Sequence, residues 1–161
     1  MRRATAMAMA ALLLGPGCAF ENPLAARSTG AAERTAVLRI IADADANGRR
    51  PVAVDVVRVA DQGLAQRLAT LDAAGWFRMR TALRAEGAGR IAIVSWEVVP
   101  GQAIALHSLP PFAGPTVATF AYALYAVPGL HRQRLADDAA PTLRLGRDGF
   151  TMEPPAGGST P

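Results

Sequence analysis

Lysine is absent from this chain of 161 residues, and all 17 basic residues are Arg, a bias we assign to genome composition rather than to function. Cysteine occurs once, which excludes an intrachain disulfide. With only two His beside it, most self-contained zinc sites are excluded as well. No apolar run approaches the ~18 to 20 residues that span a bilayer as a helix. Aromatic residues make up 6% and charged residues 19%. What is present is apolar material, 51% of the chain, enough for a core and too much for a wholly disordered polymer. The length fits about one domain. The net charge of +4 falls to +2 once Arg2 and Arg3 are set aside as part of a leader, so the case for nucleic acid is weak.

The leader is an address. Met1-Arg2-Arg3 followed by the apolar stretch from Ala4 to Leu14 has the charged start and short hydrophobic segment of a secretory signal peptide, over residues 1–17. Eleven helical residues cover only ~16 Å, about half of a bilayer core. Gly15-Pro16-Gly17-Cys18 then resembles a bacterial lipoprotein box, with a small residue before a Cys that becomes lipidated. Ordinary cleavage after Ala19 or Ala26 is the alternative. Ala19 rather than Asp follows Cys18, which under the usual bacterial sorting rule directs the product to the outer membrane. Residues 18–34 read as a lipidated tether, residues 35–152 as the folded domain, and residues 153–161, rich in Pro and Gly, as a disordered tail.

Inside the domain, strand signals dominate. Ala36 to Ile41 and Val52 to Val59 are rich in branched residues, separated by the polar segment Asp43 to Arg50 and opened by Pro51. Val52, Val54 and Val56 share one strand face and Asp55 and Val57 the other, which predicts a strand covered only in part. Leu64, Leu68 and Leu71 recur at helical spacing, with Asp61 as N-cap, Gly75 as stop, and Trp76-Phe77 as anchors beyond it. Phe77 to Leu83 can add a further helical turn. Further strands are expected over Ile91 to Val99, Gln102 to Leu109, Thr116 to Val127 and Thr142 to Leu145, with turns at Pro100-Gly101, Pro128-Gly129 and Asp137-Asp138. Gly146 to Gly149 suits a hairpin closing onto Phe150 to Met152. Seven or eight short strands and one inserted helix predict a mainly β fold, an antiparallel two-sheet sandwich.

Chemistry is sparse. His107 and Ser108 are strand neighbours pointing to opposite faces, so they cannot form a local nucleophile–base pair. Asp43, Asp45, Asn47 and Gly48 match the opening of a calcium loop, but Val54 stands where the bidentate Glu belongs, and a solvated loop is the better reading. Arg78, Arg80 and Arg84 form a solvated flank without the interleaved aromatics of a nucleic-acid groove. No catalytic residues, cofactor or metal are assigned.

The order of these features resembles the TssJ family, the outer-membrane lipoprotein of bacterial type VI secretion systems. The likeness rests on the lipobox-like Cys18, the run Asp45-Ala46-Asn47-Gly48-Arg49-Arg50-Pro51-Val52, the Val98-Val99-Pro100-Gly101-Gln102 turn, and the strand Phe120 to Arg132. His131 stands where the family commonly has Trp. The resemblance implies a transthyretin-like sandwich with an added helix, lipid-anchored in the outer membrane and facing the periplasm, without catalysis. It also implies binding to the periplasmic C-terminal domain of the large inner-membrane subunit of the TssM family. The loop between the first two strands would contribute to that contact, placing Asp43, Asp45, Asn47, Gly48, Arg49 and Arg50 at the interface. Mixed charge on such a loop orients a partner, and replacing Asp45, Asn47, Arg49 and Arg50 together by small residues is expected to weaken that contact while changing stability little. Two alternatives remain: another envelope lipoprotein such as a pilotin, and a secreted small-ligand-binding domain.

Overall fold

A computed structural model describes residues 37–109, 114–136 and 140–153. Cys18, the leader, the tether, the Asp137-Asp138 turn and all of the tail beyond Glu153 lie outside the described residues. In chain order the elements are β1 (Leu38–Ala42), the helical turn α1 (Ala46–Arg49), β2 (Val52–Val59), α2 (Gln62–Leu68), α3 (Ala73–Glu86), β3 (Ile91–Val98), β4 (Ala103–Leu106), β5 (Ala118–Leu124), β6 (Arg132–Leu135), β7 (Thr142–Leu145) and β8 (Phe150–Glu153).

The strands form two four-stranded sheets, ordered β4-β1-β7-β8 and β3-β2-β5-β6. The expected sandwich is therefore what forms. All pairs are antiparallel except β1 with β7, which run parallel from Arg39 opposite Thr142 to Ala42 opposite Leu145. That pair lies beyond local reading, because the chain passes twice through the second sheet, with β4 between, before β7 returns beside β1. The predicted closing hairpin forms between β7 and β8, with the Gly146 N–H donating to the Gly149 carbonyl at 2.8 Å.

β2 organises the layers. Val52, Val54 and Val56 face the sandwich core beside Leu38, Ile40, Leu143 and Leu145. The opposite face is not half-covered as its Asp55 led us to expect. Val57, Val59, Phe120 and Tyr122 are buried there under Leu64, Leu68, Trp76 and Leu83 of the helical layer. Asp55 itself is 1% exposed. Its Oδ2 accepts from Trp76 Nε1 at 2.8 Å and from Arg80 at 3.3 Å, and Trp76 stacks on Tyr122 with ring centroids 5.0 Å apart. Burial drives the Tyr122 phenol pKa up, and its hydroxyl donates to the Leu68 carbonyl at 2.8 Å. Arg80, expected as a solvated flank residue, thus reaches inward across the Phe77 ring to a buried carboxylate.

The inserted segment also holds two helices where the spacing predicts one. Asp61 caps α2 as expected, accepting from the Leu64 N–H at 2.8 Å. The chain then turns after Leu68, leaving Leu71 between helices, and Asp72 caps α3 by accepting from the Gly75 N–H at 2.6 Å. Gly75 is therefore in the first turn of a helix and stops nothing. A Cβ there would lie 2.8 Å from the Asp72 Oδ1, so a side chain at this position would make the capping carboxylate shift. Trp76 and Phe77, expected as anchors after a helix, are part of α3.

Candidate partner-binding end of the sandwich

The strand directions bring four connections to one end: residues 43–51 between β1 and β2, 99–102 between β3 and β4, 125–131 between β5 and β6, and 146–149 between β7 and β8. Backbone bonds tie them together. The Gly101 N–H donates to the Ala42 and Asp43 carbonyls at 3.0 and 3.2 Å, the Asp43 N–H to Leu145 at 2.9 Å, and the Asn47 N–H to Gly146 at 3.2 Å.

The centre of this end is Asn47. Asn47, Gly48 and Arg49 all have positive φ, at 49°, 60° and 67°, so the chain reverses through a left-handed turn that Asn and Gly accept readily. Asn47 is buried, not presented. Its Oδ1 accepts from the Ala126 N–H at 2.7 Å, and its Nδ2 donates to the Pro51 carbonyl at 2.9 Å. One side chain thereby pins the β1–β2 loop to the β5–β6 loop. Tyr125 reinforces the arrangement by stacking on His131 at 4.7 Å and donating its hydroxyl to the Gly149 carbonyl at 2.8 Å. Burial is the main cause that pushes the Tyr125 phenol pKa up, with the negative charge of Asp43 adding to it.

The other candidate residues separate into two groups. Asp43 is half-buried and bridged to Arg144 at 2.9 Å. Asp45 is half-buried at the start of α1, where its side chain makes no capping bond. Gly48, Arg49 and Arg50 are exposed, and neither arginine has an ion-pair partner among the described residues. The loop therefore presents a basic tip, with one of its two acids already neutralised. The expectation that Asp45, Asn47, Arg49 and Arg50 could be replaced together with little change in stability rested on none of them being buried, and Asn47, with its two side-chain bonds, does not meet that premise.

Three apolar residues on the other loops of this end are exposed, which sequence reasoning did not anticipate. Val99, Val127 and Leu130 are 49%, 38% and 55% exposed on the neighbouring loops. Val99 follows Val98, Val127 ends the apolar run from Phe120, and Leu130 follows Gly129, so no periodicity marks their exposure. A cleft of about 230 Å³ lies between the start of α3 and the β5–β6 loop, lined by Asp72, Tyr125, Val127 and His131 among others. Its polar groups are engaged within the fold, Asp72 with Gly75, Tyr125 with Gly149, and His131 Nε2 at 3.0 Å from the Val127 carbonyl. His107 follows β4 at the opposite end from His131, so the two histidines do not converge. Among the described residues no group of three or more His, Cys, Asp or Glu could hold a metal ion. No helix among them is long and apolar enough to cross a membrane.

These features define a two-sheet β-sandwich with a helical layer on one sheet and a pinned cluster of loops at one end. Its fold is TssJ-like. The T6SS lipoprotein TssJ1 from Pseudomonas aeruginosa superposes with a TM-score of 0.56 at 14% identity, over 73% of this chain and 93% of that one. A chain in the structure described as "T6SS protein TssM C-terminal domain (869-1107) from EAEC" superposes with a TM-score of 0.55 at 19% identity, over 73% of this chain and 96% of that one. A chain of a type VI membrane complex does so with 0.55 at 20% identity, over 73% and 95%. No protein-family model matches the chain, and no curated protein matches it in sequence.

Proposed function

We propose that this protein is the lipid-anchored outer-membrane component of a bacterial type VI secretion membrane complex, a structural part and not a catalyst. Its loop end docks on the periplasmic C-terminal domain of the large inner-membrane subunit, TssM. The observation that carries this reading is the superposition on a T6SS lipoprotein along nearly the whole length of that lipoprotein. The sequence adds Cys18 in a lipobox-like setting, and two or more acyl chains on that Cys would supply the stable anchoring that one chain does not. Arg49 and Arg50 are exposed at the same end of the sandwich as the exposed Val99, Val127 and Leu130, a mixture of basic and apolar side chains of the kind a protein contact uses.

Two measurements test it. Cys18→Ser is expected to move the full chain from the membrane fraction to the soluble fraction without unfolding it; sedimentation with outer membranes would refute the anchor. Titration of the Cys18→Ser chain against the TssM periplasmic domain tests the contact. Replacing Asp45, Arg49 and Arg50 by small residues while keeping Asn47 should weaken binding and sharpen its loss with salt, with an unchanged unfolding midpoint. Absence of binding by the unmodified loop would overturn the assignment of the partner.

A further inference from the structure

Among the described residues, three that are not glycine hold a positive φ: Asn47 at 49°, Arg49 at 67° and His131 at 39°. Each carries a steric penalty, since in this region Cβ crowds the following carbonyl oxygen. For two of them the fold offsets it. Asn47 makes two side-chain bonds, with Ala126 and Pro51. His131 stacks on Tyr125 and holds its Nε2 3.0 Å from the Val127 carbonyl. Arg49 has nothing comparable. Its side chain is exposed and has neither an ion-pair nor a hydrogen-bond partner among the described residues. The turn itself does not call for arginine. Its backbone bonds run from the Arg49 N–H to the Asp45 carbonyl and from the Arg50 N–H to the Asn47 carbonyl, both at 3.3 Å, and glycine would make the same bonds without the penalty. Arg50 lies at φ −111° in extended backbone and carries no such cost. Strain that nothing inside the fold offsets belongs where a side chain acts on something outside it.

We propose that Arg49 is the specificity-determining residue of this end: from a backbone fixed in the left-handed region, its guanidinium makes a bidentate contact with a carboxylate of the docking partner. This rests on the docking reading above and singles out one residue and one chemistry within it. A guanidinium is a planar fork of donors matched to two oxygens, and such charge-assisted pairs are the strong ones. The left-handed turn, pinned through Asn47, fixes where the fork starts, so less freedom is lost when the contact forms. A protein carboxylate is favoured over a phosphate surface because the exposed Val99, Val127 and Leu130 share this end, apolar groups that a protein contact buries.

The test uses the full chain carrying Cys18→Ser, in urea unfolding and in titration against the TssM periplasmic domain. Arg49→Gly should raise the folding equilibrium constant about fivefold, read as a higher urea midpoint at constant slope. The same variant should weaken binding about tenfold. Arg49→Ala removes the contact but keeps the left-handed cost, so binding should fall as far with an unchanged midpoint. Arg49→Lys keeps the charge and loses the fork, and should weaken binding about fivefold. Arg50→Ala should weaken it by no more than about threefold. A glycine variant that binds as the unsubstituted loop does, or that fails to raise the midpoint, overturns the proposal, as does a lysine variant with undiminished binding. Binding of anionic phospholipid vesicles that is lost with Arg49→Gly would assign the guanidinium to phosphate and overturn it too. If the unsubstituted loop does not bind the TssM domain at all, the docking reading fails and this proposal with it, a result distinct from binding that Arg49→Gly leaves unaffected.

Discussion

Replacing Asn47 by Ala removes a side chain that does three things at one point. The Oδ1 bond to the Ala126 N–H and the Nδ2 bond to the Pro51 carbonyl each contribute about 1 kcal/mol net. The larger penalty of a stranded buried group does not apply in full, since Ala126 lies at the surface and water can reach its N–H. The third contribution is conformational, because Asn47 sits at φ 49°, and a left-handed Ala costs about 1 kcal/mol where Asn tolerates the turn. The expected loss is therefore about 2 to 3 kcal/mol. Urea unfolding followed by Trp fluorescence measures it as a lowered midpoint at constant slope. Asn47→Gly separates the parts: it keeps the loss of both bonds but relieves the backbone, so it should be about 1 kcal/mol milder than Ala. If Asn47→Ala shifts stability by less than about 0.5 kcal/mol, the side chain does not pin the two loops and the account given for this end is wrong.

Leu68→Ala, at a site with no exposure beneath the helical layer, should cost about 2 to 5 kcal/mol in the same titration; a change near zero would detach α2 from the core. Trp76→Phe keeps most of the apolar bulk but removes the donor to the buried Asp55, and should cost about 1 to 3 kcal/mol, with Asp55→Asn in the Phe background recovering part of it. The Asp61 carboxyl is held below its ordinary range, first by the Leu64 N–H it accepts from and also by Arg90. A depressed carboxyl adds stability that is complete above its unfolded pKa and is lost as pH falls through its folded one, so the stability difference between wild type and Asp61→Ala should shrink towards acid pH. A difference that is flat or widens on acidification would contradict the cap.

Much of the fold is legible in composition and spacing because it depends on local preference. Branched runs at 52–59 and 91–98 become strands, Asp61 caps a helix, and Gly146 to Gly149 closes a hairpin, each through interactions within a few residues. The failures share a cause. Asp55 in a valine strand reads as a solvent face, yet it is buried because Trp76 and Arg80, more than twenty residues away, supply its donors. Gly75 reads as a stop, yet Asp72 three residues earlier makes it the first turn of α3. That signal was present and outweighed by the leucine spacing.

The loop from Asp43 to Arg50 divides in the same way. Its sequence alone determined that a charged turn with Asn-Gly at its tip lies between two strands, since residue type and φ preference suffice for that. Only the tertiary structure decided which of its groups are available to a partner. Asp43 is taken by Arg144 and Asn47 by Ala126, partners 101 and 79 residues further along the chain. The exposed Val99, Val127 and Leu130 share an end of the sandwich with Arg49 and Arg50 only because the strand order sends four loops there. Strand identity follows from neighbours in sequence, whereas the free surface is what remains after distant segments have made their bonds.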